Sequence, residues 1–152
     1  MDKKFMKEAL KQAKKAYQLG EVPIGAVIVK DNKIIARAYN KREILMSAHA
    51  HAEMLAIQKA CKKENNWRLS GCTLYVTLEP CPMCAGAIIN SRIDRIVYGA
   101  ENPQSGACGT KISLPQMSLL NHTPEISGGV MQEECASLMN EFFKAVRKRG
   151  QK

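Results

Sequence analysis

Thr77-Leu78-Glu79-Pro80-Cys81-Pro82-Met83-Cys84 is the stretch from which the rest of the chain can be read. Cys81 and Cys84, with two residues between them, supply half of a tetrahedral zinc site, because a tight turn carries both thiolates to one metal. On its own the spacing is equally at home in thiol redox chemistry. His51-Ala52-Glu53, upstream, decides for metal: the histidine is a third ligand, and the carboxylate stands beside it.

Three protein ligands leave the fourth tetrahedral position of a zinc ion for water, which separates a catalytic site from a closed structural one. His51, Cys81 and Cys84 are those ligands, and no second C-x-x-C in the chain closes the shell. Two thiolates offset most of the charge of the ion and make it a weaker Lewis acid than one held by neutral histidines. That leaves proton transfer to Glu53, the only acid in the local motif. His49 lacks the two-residue offset from Glu53 and is the spare histidine.

The bulk numbers set bounds. A chain of 152 residues suits one domain, 1–152, and 45% hydrophobic residues call for a packed core. No stretch is long and apolar enough to cross a bilayer. The first residues lead into an amphipathic pattern rather than an apolar leader. The six cysteines are therefore expected in a reducing, cytoplasmic setting, with Cys61, Cys72, Cys108 and Cys135 as small buried residues. The net charge of +9, from 23 basic against 14 acidic residues, suits a polyanionic partner such as nucleic acid, and equally a basic protein with no such partner.

Taken in order, Met6, Leu10, Ala13 and Tyr17 predict a helix over 3–19, with Asp2 as N-cap and Gly20 after its end. Its lysine-rich outer face suits either RNA or solvent. Two β-branched runs, 22–29 and 34–39, flank Asp31-Asn32 and predict a hairpin. Asn40 closes the second run, placed equally for bonding a substrate ring or ribose and for bonding its own turn. A helix is expected over 50–63, then a polar connection with Trp67 tucked against the domain. A strand over 73–77, a buried helix over 84–89, a strand over 95–98 and a loop over 99–106 follow. After a weakly patterned stretch to Leu120 comes a short strand at 125–127 and a last helix from Met131. On that helix Phe143 and Arg147 share one shoulder, where they either clamp a single strand or form an ordinary rim.

The H-x-E…P-C-x-x-C pattern is that of the zinc deaminases. Together with Val22-Pro23-Ile24-Gly25-Ala26-Val27, Asn121-His122 and Phe142-Phe143 in the same order, it makes nearly the whole chain resemble the bacterial tRNA-specific adenosine deaminases. The resemblance implies an α/β, three-layer αβα cytidine-deaminase-like fold with a five-stranded mixed sheet, usually in a homodimer. It implies one Zn2+ per subunit, and hydrolysis of the wobble adenosine of a tRNA anticodon stem-loop to inosine with Glu53 as proton shuttle. It also implies that Asn40 contacts the nucleoside, while Asn102, Asn121, His122, Phe143 and Arg147 line the RNA path. Three features depart from the family pattern: Pro82, also at home in guanine deaminases; Asn102, where aspartate is frequent; and the wording of 43–47. A free-base deaminase and an RNA-binding module with structural zinc are the rival readings. The charge and the basic last helix oppose the first; Glu53 and the missing fourth ligand oppose the second.

Overall fold

Ala26 and Ile28 belong to one buried apolar cluster and Val27 and Val29 to another, so this strand is apolar on both faces. Such a strand needs a layer over each side, and helices supply both. The computed structural model describes residues 1–117 and 121–150; the end of the weakly patterned stretch, 118–120, lies outside the described residues. The helices are α1 (Asp2–Gln18), α2 (Ala52–Glu64), α3 (Pro82–Asn90) and α4 (Gln132–Gly150). The strands are β1 (Gly25–Lys30), β2 (Lys33–Tyr39), β3 (Cys72–Leu78), β4 (Arg95–Ala100) and β5 (Glu125–Ser127). They form one sheet in the order β2-β1-β3-β4-β5. The first two pairings are antiparallel and the last two parallel.

One face is covered by α1 and α4, where Phe5, Met6, Leu10 and Cys135 meet Val27, Tyr75 and Val97. The other is covered by α2 and α3, where Ala52, Ala56, Ala85 and Ile88 meet Ile28, Leu74 and Ile96. This is the expected three-layer αβα arrangement about a five-stranded mixed sheet. The small residues of α2 and α3 allow close approach. A Cβ on Gly25 would collide with the Ala9 carbonyl, so α1 lies directly on the start of β1.

The hairpin turn is Asp31-Asn32, both left-handed at φ 51 and 61, the geometry that matches the twist of paired strands. Asp2 is not the cap of α1 but its first residue; its carboxylate instead accepts two hydrogen bonds from Arg95 (2.9 and 2.8 Å) and one from Tyr75 (2.8 Å). Trp67 is 58% exposed rather than tucked in, with Arg68 and Arg92 over its ring, because Leu69 takes the core position instead. The loop expected from residue 99 starts at Glu101, since β4 pairs with β3 as far as Ala100.

Candidate active site

Both motif segments are helix starts. His51 caps α2 and Cys81 caps α3, each with extended backbone, and the His51 side chain makes no cap hydrogen bond to its own helix. The two side chains face each other. Pro82 takes the first position of α3, where its missing N–H would have had no partner in any case. That places Cys84 in the first helical turn, where its backbone N–H and the helix dipole favour an anionic thiolate on Cys81 at the helix start.

His51 Nδ1 lies 3.7 Å from Cys81 Sγ and 3.5 Å from Cys84 Sγ. The three donor atoms all lie within 4.8 Å of one another. Ligand atoms on a tetrahedral zinc stand roughly 3.6 Å apart, given its usual bond lengths. The hydrogen bond from Cys84, then that from His51, lowers the Cys81 thiol to about 4. Cys84 is pushed the other way, by its bond to Cys81 and by burial. His51 is drawn up by the Cys81 thiolate. Two thiols that cannot ionise together beside an imidazole are a donor set lacking a counter-charge, which a dication supplies.

Glu53 sits in the first turn of α2, 3% exposed, and burial pushes its carboxyl up to about 7. Its Oε1 has no hydrogen-bond partner among the described residues. A buried carboxyl oxygen left so costs about 1–3 kcal/mol, and a water held by a metal at His51, Cys81 and Cys84 is a fitting partner. The residues present fit the ion.

At the carboxyl ends of β3 and β4, where the chain runs on from Leu78 to Cys81, lies a cavity of about 990 Å³, lined by none of His51, Glu53, Cys81 and Cys84. Its floor is apolar, from Ile24 and Leu78, and its walls carry Arg42, Asn102, Phe143 and Arg147. Phe143 is 42% exposed, edge-on to the buried Phe142. Asn40 is buried at the same end; its Nδ2 donates to the Val22 carbonyl and its Oδ1 accepts from Arg42 N–H, so its amide serves the local turn. Asn121 and His122 are not brought here. His122 Nε2 donates to the Ile93 carbonyl (2.7 Å), ahead of β4 at the opposite end of the sheet, and Asn121 is exposed beside it.

Two buried residues passed unnoticed in the sequence. Glu21 accepts hydrogen bonds from Glu43 and Ile44 N–H. Glu79 accepts from the N–H groups of Asn102, Cys108 and Thr110 and from the Thr110 hydroxyl. Burial opposes ionisation of Glu79, but these donors, Thr110 foremost, hold its carboxyl below the usual range.

The MafB19-like deaminase family matches residues 1–147. A tRNA-specific adenosine deaminase of Bacillus subtilis (strain 168) is 53% identical over 148 residues, 97% of this chain and 92% of that protein. The chain belongs to the tRNA-specific adenosine deaminase family. A solved structure from studies of A-to-I editing by tRNA:A34 deaminases at the wobble position superposes with a TM-score of 0.82 at 42% identity, covering 89% of this chain and 98% of that one. A guanine deaminase from Bacillus subtilis reaches a TM-score of 0.62 at 44% identity, over 64% of this chain and 63% of that one. Against the pattern of the tRNA-specific adenosine deaminases, Asn102 now has a local explanation. Its Oδ1 accepts from Gln104 and Ser105 N–H, a turn that aspartate makes equally well, and its Nδ2 donates to Ser105 Oγ.

Proposed function

We propose that this chain hydrolyses the wobble adenosine of a tRNA anticodon loop to inosine, with one zinc ion held by His51, Cys81 and Cys84. The observation that carries the reading is the three-donor cluster beside a buried, unpartnered carboxyl oxygen of Glu53, in a member of this family. When bound, the ion supplies a Lewis acid that makes water nucleophilic near neutral pH. Glu53 takes one proton of the attacking water on its free oxygen and delivers it to the purine ring nitrogen; it then carries the proton of the new carbon-bound hydroxyl to the amino group, which leaves as ammonia as the C–N bond breaks. Such a shuttle needs an acid strength near the working pH, and burial pushes Glu53 upward from the ordinary carboxylate range.

The adenine must leave its stack to reach this site. The adjoining cavity takes the flanking nucleotides: Phe143 offers a stacking face, Arg42 and Arg147 offer charge, and Asn102 shapes the wall. Asn40 orients the nucleoside with what its turn bonds leave free, one amide hydrogen and one lone pair. Any contact of Asn121 and His122 with RNA lies outside this cleft. The 152 residues act as one domain, in a cytoplasmic homodimer. An apolar cleft of about 600 Å³ on the outer side of α3, lined by Met54, Met83, Ala87, Ile89 and Leu114, supports pairing. The six cysteines are unpaired, and among the described residues no helix is long and apolar enough to cross a membrane.

The test is inosine formation in a synthetic anticodon stem-loop, run beside ammonia release from free adenine, guanine and cytosine. Inosine in the RNA with no free-base turnover is expected. Robust guanine turnover with untouched RNA moves the assignment to guanine deamination, the rival that Pro82 and the Bacillus subtilis guanine deaminase likeness keep in view.

A further inference from the structure

Glu21 and Glu79 are each 1% exposed, and neither forms an ion pair among the described residues. A carboxylate buried in this way is costly unless hydrogen bonds replace its water. In both cases the replacement comes from the backbone of a loop that lines the cavity, with the Thr110 hydroxyl added at Glu79. The oxygens of Glu21 lie 3.1 Å from Glu43 N and 2.7 Å from Ile44 N. In Glu79, Oε1 accepts from Asn102 N (3.2 Å) and the Thr110 hydroxyl, and Oε2 accepts from Cys108 N (3.0 Å) and Thr110 N (3.0 Å).

The two loops, 41–47 and 101–110, share one cavity: the first contributes Arg42 to it and the second contributes the segment from Glu101 to Ser105. We propose that Glu21 and Glu79 are positioning residues that fix these loops as the two walls of the RNA cleft. The proposal rests on the reading that the cleft receives RNA. Loops held before binding do not have to be ordered during it, so the substrate binds at lower cost. The chemistry of the reacting carbon is left to other groups.

Both Glu79 oxygens face donors only. A glutamine there aims its own N–H₂ at backbone N–H groups, so the isosteric change breaks the arrangement as surely as truncation does. Gly106 provides an independent route to the same wall. A Cβ on it would stand 2.6 Å from the Glu79 carboxyl carbon and 2.6 Å from the Asn102 carbonyl. Gly106→Ala therefore pushes the loop off its anchor without removing the carboxylate.

The experiment takes wild type, Glu21→Gln, Glu79→Gln and Gly106→Ala as zinc-loaded full chains. It measures zinc content, kcat and KM on an anticodon stem-loop, and amide hydrogen exchange at residues 43–44 and 102–110. Expected are full zinc, a kcat within about threefold, a KM raised about tenfold or more, and faster exchange confined to the loop whose anchor was changed. Loss of exchange protection with an unchanged KM overturns the proposal, because the wall then has no part in binding. Loss of zinc in Glu79→Gln with Gly106→Ala unaffected also overturns it, because the carboxylate then supports the metal turn instead. If Glu79→Gln does not fold, Gly106→Ala and Glu21→Gln decide by the same readouts. A wild type that makes no inosine in the stem-loop overturns the functional reading itself, whereas a competent wild type with indifferent variants overturns only the positioning.

Discussion

A buried carboxyl oxygen without a partner, Glu53 Oε1, is the atom on which the proposed chemistry turns. Glu53→Gln keeps shape and burial but removes the acid, so zinc content should stay full while inosine formation falls by ~10²–10⁴. Elemental analysis and single-turnover kinetics on the same preparation check this, and a near wild-type rate would take the proton away from Glu53. The thiols divide in a second prediction. Cys81→Ala or Cys84→Ala leaves two donors and should release the ion, while Cys61→Ala and Cys135→Ala, remote from the donor set, should retain it. His51, Glu53, Cys81 and Cys84 were legible because short local spacings at two helix starts carry the whole arrangement. Glu21 and Glu79 were not. Apart from the Thr110 hydroxyl at Glu79, their partners are backbone N–H groups more than twenty residues away, and a backbone donor leaves no mark on the residue that bears it.

Among the elements, α1 is fastened to the sheet by its first residue. Arg95 bonds Asp2 at both oxygens and also donates to Ser127 Oγ (3.0 Å), so one guanidinium ties α1 to β4 and β5. The Arg95 hydrogen bond, partly offset by burial, holds the Asp2 carboxyl below its usual range. A carboxyl whose folded pKa lies below the unfolded value of about 3.9 stabilises the fold fully above that value, and the contribution is lost as pH falls through the folded pKa. Asp2→Asn should therefore cost about 1 kcal/mol at pH 7, a modest figure because the pair is partly solvated. The gap to wild type should shrink as the pH is taken down below about 4. Urea midpoints at neutral and acid pH measure it, and an equal gap at both would point to packing instead of charge. This staple explains why Asp2 was misread as a cap: an acidic residue before an apolar stripe has the same local look whether its partner is the helix's own N–H or an arginine 93 residues on. Strand alternation and the Asp31-Asn32 turn were legible for the opposite reason, being settled within a few residues. Trp67 was missed because apolar character says how much a residue gains from burial, not which of two neighbours, Trp67 or Leu69, takes the single available place.

At the scale of the whole molecule, the net charge of +9 only becomes informative once its position is known. The apolar stripe of α4 is buried at Cys135 and Phe142, but Phe143 and Val146 are exposed, and this end of the helix borders the cavity beside Arg42 and Asn102. The sequence could place Phe143 and Arg147 on one shoulder of α4; only the fold shows that the shoulder faces the same cavity as the loops following β2 and β4. Two substitutions separate what each residue contributes. Phe143→Ala removes a stacking face and should weaken stem-loop binding by ~1–3 kcal/mol at every salt concentration. Arg147→Ala removes a charge and should chiefly flatten the dependence of log K on log salt, by about one unit of slope or less for one lost phosphate contact. Neither residue belongs to the donor cluster, so zinc content should not change in either variant. Affinities measured across a salt series give both quantities from one set of titrations, with turnover of free guanine as the companion assay. If RNA binding is weak and independent of salt, and both variants turn over guanine as well as wild type does, the basic rim has no polyanion to hold. The cleft then belongs to a small-molecule enzyme. A steep wild-type slope that drops in Arg147→Ala but persists in Phe143→Ala places the phosphate backbone along the end of α4, with a base against Phe143.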